Sequence, residues 1–435
     1  MERFYWSDLS EEMRQSALAR PAAIADDKLV ASVREIMAGV KSGGDKAVLD
    51  YTAKFDGVKL DALQVPYEDL ESAWEALLEA DKTAIETAKS NIKKFHFAQK
   101  PKDISVKTMK GVHCRREARA IETAGLYVPG GTAPLVSTLL MLAIPAKVAG
   151  VRNRIVVTPP GKDGKINQAI LAAAYRCEVS AVYACGGAQA IAALAYGTES
   201  IPRCDKIFGP GNAWVATAKS LAAQEPGGPG IDLPAGPSEA MVLAGRKSNP
   251  VFVASDLLSQ AEHDTLAQVV CVATSSDKAD EIEAAVQTQL ATLPRKDIAA
   301  QALSYARMII AESRADVVDI VNRYAPEHLI IQMKDPETLV PNIRNAGSIF
   351  LGPWTPEAVG DYASGTNHTL PTYGAARSYS GVTLESFIKY ISVQRLTKKG
   401  LKNLGPTVER LAMLEDLEAH KRAVSLRLEV LNEKD

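Results

Sequence analysis

Two kinds of hydrophobic pattern divide this chain. Before about residue 100, apolar residues recur at helical spacing, as at Leu29, Val33, Ile36 and Met37, and this spacing predicts helices. Beyond Gly125, short apolar runs alternate with helical segments, a pattern typical of parallel β-strands connected by helices. The sequence therefore predicts an α/β protein preceded by additional helices.

The alternating part of the chain falls into two blocks, separated by a stretch rich in glycine and proline. The strands predicted for the first block are residues 126–128, 155–158, 181–184 and 206–208. Those predicted for the second block are residues 240–243, 269–273, 308–311, 329–332 and 348–351. Helices are expected between the strands, including one over residues 336–343. We therefore expect two α/β lobes.

From residue 381 onward the pattern is helical again, with Val408, Leu411, Leu414 and Leu417 on one stripe. This tail has too little apolar content to fold alone, so we expect it to pack on a lobe or on a second subunit. The predicted domains are a helical N-terminal segment, a lobe made of two segments, an inserted lobe and the tail, at residues 1–25, 26–128 with 241–380, 129–240 and 381–435.

Composition excludes several classes of protein. A chain of 435 residues is too long for one core, and 46% hydrophobic with 23% charged residues is ordinary for a globular protein. A net charge of −2 gives no reason to expect binding to nucleic acid or an anionic membrane. The five cysteines lack CxxC spacing, which argues against a disulfide framework. With no signal-peptide or membrane-spanning pattern, we expect a cytoplasmic protein.

Four of the six histidines lie in short polar clusters. The clusters are residues 260–264, 326–328, 360–368 and 415–420. Histidine both binds transition metals and moves protons near neutral pH, so its repeated occurrence beside carboxylates predicts metal-assisted or acid–base chemistry.

The first two clusters differ in the chemistry that they offer. Gln260 and His263, three residues apart at the end of a predicted helix, present an oxygen and a nitrogen on one face, which suits Zn²⁺. A polar helix end is the alternative. Glu327 beside His328 could tune the imidazole for proton transfer, whereas a surface histidine at a strand start is the alternative.

The other two clusters are weaker signals. Asp361 and His368 bracket a turn rich in glycine and serine, where Asp361 could supply an anionic metal ligand. An ordinary solvated loop explains either residue alone. Glu415 and His420 lie on a predicted helix, and a solvated helix face is the plain interpretation of that pair.

Two glycine-rich loops suggest a nucleotide. Residues 186–189 and 209–212 each follow a predicted strand and open a helix, where backbone N–H groups can meet phosphate oxygens. Neither loop is a full GxGxxG, because Trp214 occupies the third glycine position after Gly209. Tight strand-to-helix turns that need glycine remain the alternative.

Taken together, these segments resemble the histidinol dehydrogenase family over nearly the whole chain. The resemblance rests on eight motifs in the same order, at residues 125–131, 186–189, 209–212, 233–239, 259–263, 325–328, 360–368 and 415–420. It implies two Rossmann-like α/β/α lobes with incomplete doubly wound sheets, and small helical terminal segments that mediate an intertwined homodimer.

The resemblance also implies a role for each matching residue. One Zn²⁺ per subunit would be held by Gln260, His263, Asp361 and His420, the last reaching across from the partner subunit. Glu327 and His328 match the acid–base pair. The residues that match substrate contacts are Ser238, Gln260, His263, His328, Glu357, Asp361, His368, Glu415 and His420, with Ser137 a weaker candidate. Those that match NAD contacts are Tyr127, Gln189 and Asn212.

One residue departs from the family pattern. Many relatives have glycine after the glutamate of the tail motif, where this chain has Asp416. Because aspartate tolerates left-handed backbone better than most residues, we expect the turn to persist.

The implied activity is NAD-dependent oxidation of L-histidinol to L-histidine through bound L-histidinal. His328 would be the base in both oxidations, and Glu327 would activate water. Three alternatives remain: a zinc- and NAD-dependent relative that oxidises another small alcohol such as a sulfopropanediol, a zinc hydrolase, and a two-lobed metal-binding transport protein. The hydrolase would need no glycine loops and the chain lacks HExxH, while the transport protein would normally carry an export signal.

Overall fold

The computed structural model describes residues 1–20, 27–130, 134–233 and 236–433. In these residues the strands are β1 Glu2–Tyr5, β2 Ile104–Met109, β3 Val112–Ala120, β4 Thr123–Tyr127, β5 Asn153–Thr158, β6 Ala181–Ala184, β7 Lys206–Phe208, β8 Gly230–Ile231, β9 Glu239–Ala244, β10 Gln268–Ala273, β11 Arg307–Ile310, β12 His328–Gln332, β13 Ser348–Leu351 and β14 Ile388–Leu396.

The helices in the same residues are α1 Glu11–Ala17, α2 Asp27–Phe55, α3 Tyr67–Glu75, α4 Glu79–Phe97, α5 Val136–Ala149, α6 Gln168–Cys177, α7 Gly187–Tyr196, α8 Ala213–Gln224, α9 Pro250–Ala261, α10 Ser276–Leu290, α11 Lys296–Leu303, α12 Arg314–Tyr324, α13 Glu357–Tyr362, α14 Lys398–Leu414 and α15 Glu418–Asn432.

The chain forms two compact units, of which the first comprises residues 1–99 and 121–387. This unit contains two sheets. The larger sheet has the strand order β1-β11-β10-β9-β12-β13, and the smaller has the order β6-β5-β4-β7-β8. All neighbouring strands in both sheets are parallel. The prediction of two α/β lobes with parallel sheets is therefore confirmed.

The larger sheet is buried on both faces, as its unbroken apolar strands require. Alternate residues of β9 point to opposite sides, so that Ala240 and Val242 join one apolar core while Met241 and Leu243 join the other. The N-terminal residues contribute to the second core through Trp6, which is fully buried. Strand β1 was missed by the sequence prediction because its partner, β11, lies some three hundred residues further along the chain.

The smaller sheet buries one face under helices α2, α7 and α8. Helix α2, which the sequence prediction assigned to the other lobe, buries Val33, Ile36 and Met37 in this core. The predicted domain borders themselves stay predictions, and part of the predicted N-terminal segment, residues 21–25, lies outside the described residues.

The second unit comprises residues 100–120 and 388–435. It consists of an antiparallel sheet of order β14-β3-β2 and the helix pair α14 and α15. The helical tail is confirmed for α14 and α15, but the prediction of helix from residue 381 onward is wrong for β14. Strands β14 and β2 are mostly exposed and so carry little hydrophobic signal.

One further prediction of helix is wrong. Residues 336–343 form two short 3₁₀ turns, Pro336–Thr338 and Val340–Asn342, instead of a helix. Pro341 lacks the N–H that a continuing helix would need and interrupts the segment. Among the described residues, no helix has the length and apolar character needed to cross a membrane.

Candidate active site

The predicted acid–base pair lies at the amino end of the central part of the larger sheet. His328 is the first residue of β12, where it pairs with Ala240 of β9 and Ser348 of β13. Between α12 and β12 the chain turns through Ala325, which has left-handed backbone at φ 56°. This turn brings Glu327 and His328 into the sheet, and both are buried, at 5% and 4% exposure.

The imidazole of His328 lies among three carboxylates. Its Nε2 is 3.3 Å from Oδ1 of Asp361, and its Nδ1 is 3.6 Å from Oε1 of Glu357 and 3.8 Å from Oε2 of Glu327. Glu357 and Asp361 stand four residues apart on α13, so one helix presents both on the same face. Three of these residues, His328, Glu357 and Asp361, have ligand atoms within 4.8 Å of one another and could hold a metal ion.

Burial and mutual charge set the protonation of this cluster. Burial raises the pKa of Glu327 to about 8 and that of Glu357 to about 8. Burial alone would lower the pKa of His328, but the carboxylates of Glu357, Glu327 and Asp361 outweigh it and raise that pKa. For Asp361, burial is outweighed by the hydrogen bond and charge of His328, which lower its pKa. The site can therefore retain protons at neutral pH where isolated carboxyl groups would have lost them.

The main chain of residue 239 fixes both members of the pair. His328 Nδ1 lies 3.1 Å from the carbonyl oxygen of Glu239, and because a carbonyl only accepts, Nδ1 carries a proton. The N–H of Glu239 donates to Oε2 of Glu327 at 2.8 Å. Nε2 of His328 is left as the ring nitrogen that faces Asp361 and can exchange a proton.

Gln260 and His263 lie at the end of α9, as predicted. Gln260 occupies the last turn with 1% exposure, and neither its Oε1 nor its Nε2 has a hydrogen-bond partner among the described residues. Burying an amide without partners is costly, which indicates that a group bound at the site would satisfy it. His263 follows the helix, and burial lowers its pKa while the nearby charge of Asp361 opposes the shift. A neutral imidazole is the form that binds metal.

Three further predicted substrate residues are His368, Ser137 and Ser238, of which His368 contacts the main chain of Asp361. Nδ1 of His368 donates to the carbonyl oxygen of Asp361 at 2.9 Å, because a carbonyl oxygen can only accept. Its Nε2 lies 3.1 Å from Oγ1 of Thr138, on α5. Ser137, also on α5, is buried, whereas Ser238, just before β9, is half-buried.

The three residues predicted to touch NAD follow strands of the smaller sheet. Tyr127 ends β4, Gln189 lies in the first turn of α7 after β6, and Asn212 caps α8 after β7. The chain goes from β4 to one side for β5 and β6 and then returns to the other side for β7, so the strand order reverses between β4 and β7. Ligands of open parallel sheets bind in the crevice beyond the carboxyl ends at such a point.

Backbone groups approach closely at this crevice. Gly209 follows β7 and has φ 121°, and a Cβ there would lie 2.1 Å from the carbonyl oxygen of Tyr127. The hydroxyl of Tyr127 accepts from the N–H of Gly187 at 3.3 Å, and burial raises the pKa of Tyr127 to about 12. The loops therefore need glycine to bring their main chains together, as the sequence suggested. Residue 131 of the first motif and residues 234 and 235 of the fourth lie outside the described residues.

Glu415 and His420 belong to the second unit. Glu415 caps the end of α14, His420 lies in the first turn of α15, and both are exposed. Asp416 between them has φ 55°. The expected left-handed turn at Asp416 is thus confirmed.

Known proteins and a family model match this chain over almost its full length. The model of the family described as histidinol dehydrogenase matches residues 19–428. A histidinol dehydrogenase of Vibrio parahaemolyticus is 50% identical over 433 residues and covers 100% of both chains. One of Mannheimia succiniciproducens is 50% identical over 428 residues, covering 98% of this chain and 99% of that protein.

The fold also matches that of a solved structure. The crystal structure of histidinol dehydrogenase from Elizabethkingia anophelis has a TM-score of 0.95 and 46% identity to this chain, and it covers 99% of each. The chain belongs to the histidinol dehydrogenase family. The resemblance drawn from eight short motifs is therefore confirmed.

Sequence reasoning missed two residues that support the site of this histidinol dehydrogenase family member. The side chain of Glu239 is buried and receives the guanidinium of Arg20, with Nε to Oε1 at 2.5 Å and Nη2 to Oε2 at 2.9 Å. Arg20 also lies over the ring of Tyr324 at 4.0 Å. A glutamate at the start of an otherwise apolar strand, residues 239–244, was the signal that could have identified this pair.

Thr138 and Asp256 were also missed. Thr138 is fully buried and reaches His368, while Asp256 accepts from Nε2 of Gln332 at 2.6 Å. Burial raises the pKa of Asp256 to about 6. Both lie in mostly apolar helices and outside the polar clusters recognised in the sequence, so no sequence signal distinguished them.

Proposed function

We propose that this chain catalyses the four-electron oxidation of L-histidinol to L-histidine, the final steps of histidine biosynthesis, with two NAD reduced and one water consumed. The observation that carries this proposal is a buried imidazole, His328, held among three carboxyl groups. A buried amide, Gln260, that has no hydrogen-bond partner among the described residues supports it. A base removed from water and a polar group left for a ligand suit proton abstraction from a bound polar substrate.

In its neutral form, with Nε2 unprotonated, His328 is the base in both oxidations. Nδ1–H is committed to the Glu239 carbonyl, so Nε2 takes the hydroxyl proton of the alcohol and later that of the hydrated aldehyde. Glu327 removes a proton from water for hydration of the aldehyde between the two oxidations. Its raised pKa of about 8 lies near working pH, where a general base is most effective. NAD, when bound, accepts the hydride in each oxidation.

The donor set fits one Zn²⁺ in each site. Gln260, His263 and Asp361 supply an amide oxygen, an imidazole nitrogen and a carboxylate, and His420 of a partner subunit completes four ligands. The unsatisfied amide of Gln260 and the lowered pKa of His263, caused first by burial, support this assignment. The ion would anchor the imidazole and amino nitrogens of histidinol and so orient the substrate.

Substrate contacts are proposed for Ser238, Gln260, His263, His328, Glu357, Asp361 and His368, with Glu415 and His420 from the partner subunit. The carboxyl groups of Glu357 and Asp361 can accept hydrogen bonds from the amino group of histidinol. A related dehydrogenase of a small alcohol such as a sulfopropanediol is not favoured, because these carboxylates would repel a sulfonate.

NAD is proposed to bind at the carboxyl edge of the smaller sheet, beside Tyr127, Gln189 and Asn212. The reversal of strand order between β4 and β7 and the close backbone approach at Gly209 support this position. Asn212 caps α8 through Oδ1, at 3.1 and 3.2 Å from the N–H groups of Trp214 and Val215. Its Nδ2 therefore remains directed elsewhere and can donate to the cofactor.

The enzyme is proposed to work in the cytoplasm as a homodimer. Each active site would contain residues of both subunits. The second unit leaves apolar side chains of its helices uncovered, and this supports a partner surface. These exposed residues are Leu411, Met413, Leu414, Leu417, Leu426 and Val430. A surface of this kind on a helix pair is typical of a subunit interface.

The test is the stoichiometry of the reaction. Purified protein given limiting L-histidinol and excess NAD is expected to form two NADH for each histidinol consumed, and a chelator is expected to abolish this. One NADH per histidinol, or reduction only with a different alcohol, would contradict the proposed four-electron reaction.

A further inference from the structure

A buried ion pair lies directly beneath the 209–212 loop of the smaller sheet. Lys219 is on α8 and Asp232 follows β8, and their side chains are 2% and 1% exposed. The Nζ of Lys219 contacts Oδ1 of Asp232. Charges are almost never buried this fully unless they are paired and hydrogen-bonded.

Both charged groups also bind the main chain of Gly209. Oδ2 of Asp232 accepts from the N–H of Gly209 at 2.7 Å, and Nζ of Lys219 donates to its carbonyl oxygen at 2.9 Å. Oδ1 of Asp232 accepts a further bond from the N–H of Leu233 at 2.8 Å. One ion pair therefore holds both hydrogen-bonding groups of a single glycine.

Gly209 needs this support because its conformation is unusual. Its φ of 121° is open to few residues other than glycine, and its Cα lies against the carbonyl of Tyr127. Beside it the sheet ends in β8, which is only two residues long, so few ladder hydrogen bonds are available there. The ion pair takes the place of those missing bonds.

We propose that Lys219 and Asp232 are positioning residues for the dinucleotide, an inference that rests on the NAD site proposed above. By fixing Gly209 they set the distance between the β4 end, with Tyr127, and the start of α8, with Asn212. The pair touches neither the reacting atoms nor the base. Its loss therefore weakens cofactor binding and leaves the acid–base cluster in the other lobe unchanged.

A second buried lysine provides a matched control. Lys278 is 7% exposed, donates to the carbonyl of Ser248 at 2.9 Å and contacts Glu281, so it makes the same kinds of bond. It lies in the larger lobe, away from any proposed ligand contact. Lys219→Met and Lys278→Met thus each remove a buried lysine bonded to a carbonyl and a carboxylate, although Glu281 is exposed where Asp232 is buried. Only Lys219 is proposed to position the cofactor.

The test compares these variants with the double variant Lys219→Met/Asp232→Asn, which removes both charges together and so leaves no unpaired buried charge. For both Lys219 variants the KM for NAD is expected to rise about tenfold or more. The KM for histidinol and the zinc content are expected to stay within twofold of wild type. Lys278→Met is expected to lower the melting temperature but leave the KM for NAD unchanged.

Lys219→Arg, which retains a cation and N–H donors, is expected to restore part of the affinity for NAD. An unchanged KM for NAD in the folded double variant would overturn the inference, as would an equal rise in Lys278→Met. If wild-type protein formed no NADH from histidinol, the proposed function itself would fail before any variant was compared. The two failures are therefore distinguishable.

Discussion

The candidate site at the amino edge of the larger sheet is formed by side chains, whereas the one at the carboxyl edge of the smaller sheet is formed mainly by main-chain groups. At the first edge, His328 is surrounded by the carboxylates of Glu327, Glu357 and Asp361, and backbone serves only to orient them. At the second edge, the main chains of Tyr127 and Gly209 form the surface. Proton transfer needs titratable side chains held in a dry place, whereas a phosphate-bearing cofactor is bound well by backbone N–H groups.

The proposed acid–base pair lies at an unusual edge for a parallel sheet. In the larger sheet the strand order reverses between β9 and β12, and the rule for open sheets would place a ligand at their carboxyl ends. There the N–H of Gly245 and the hydroxyl of Ser248 both bond to the carbonyl of Gln332, which bridges the two strands. The proposed acid–base pair, Glu327 and His328, lies at the opposite end of β12. Four predictions test this contrast.

The largest effect is expected from His328→Ala. Because one imidazole serves both oxidations, kcat should fall by about 10³- to 10⁴-fold, near the upper range for a general base. Binding of NAD, which involves the other lobe, should be unchanged. Steady-state kinetics and a titration with NAD measure the two quantities. A parallel loss of NAD affinity would show that the two edges are not independent.

His420→Ala is expected to abolish zinc binding and to lower activity strongly, although it lies in the second unit. Mixed with His328→Ala subunits in equal amounts, it should recover about a quarter of wild-type activity, because half of the dimers are hybrids with one intact site of two. Each variant alone serves as the control. No recovery when hybrids are shown to form would contradict a shared site.

Arg20→Met tests whether the backbone of Glu239 orients the base. Removing one partner of a buried ion pair is expected to cost about 3–5 kcal/mol of unfolding free energy. If Glu239 then shifts, kcat should fall about tenfold or more while the KM for NAD stays constant. Denaturant unfolding and kinetics on the same preparation give both values. A loss of stability with unchanged kcat would reduce the pair to a structural role.

The smallest effect concerns Asp256, whose pKa burial raises to about 6 from its ordinary value of 3.8. Because the folded protein holds the proton of Asp256 more tightly than the unfolded chain does, this protonation stabilises the fold fully below about pH 4. The stabilisation is lost as the pH rises through 6. Asp256→Asn should remove this loss, at most about 3 kcal/mol at pH 8. Asn can also donate to Oε1 of Gln332, which has no partner among the described residues.

Unfolding free energies measured on metal-free protein between pH 4 and 8 check this. Asp50→Asn, at an exposed ion pair with Lys46, is the control and is expected to change stability by no more than about 0.5 kcal/mol. Parallel pH profiles for wild type and Asp256→Asn would contradict the assignment.

The hydrophobic pattern of the sequence predicted the strands that are deeply buried in the fold. The parallel strands β5, β6, β9 and β10 are runs of apolar residues between helical segments, and they were found within two residues of their ends. Four strands pair with distant partners or remain exposed, so their hydrophobic pattern did not predict them; these are β1, β2, β3 and β14. The helix expected at residues 336–343 failed because Pro341 lies at its centre.

The same division holds for the site. By itself the sequence determined the candidate residues for chemistry, because histidine beside carboxylate and glycine after a strand are local features, and it determined the family through the order of its motifs. Only the tertiary structure decided that Glu357 and Asp361 approach His328, that Arg20 pairs with Glu239, whose carbonyl contacts His328, and that Lys219 and Asp232 bond to Gly209. These contacts join residues far apart along the chain, and their geometry follows from the packing of whole strands and helices, which no short stretch of sequence encodes.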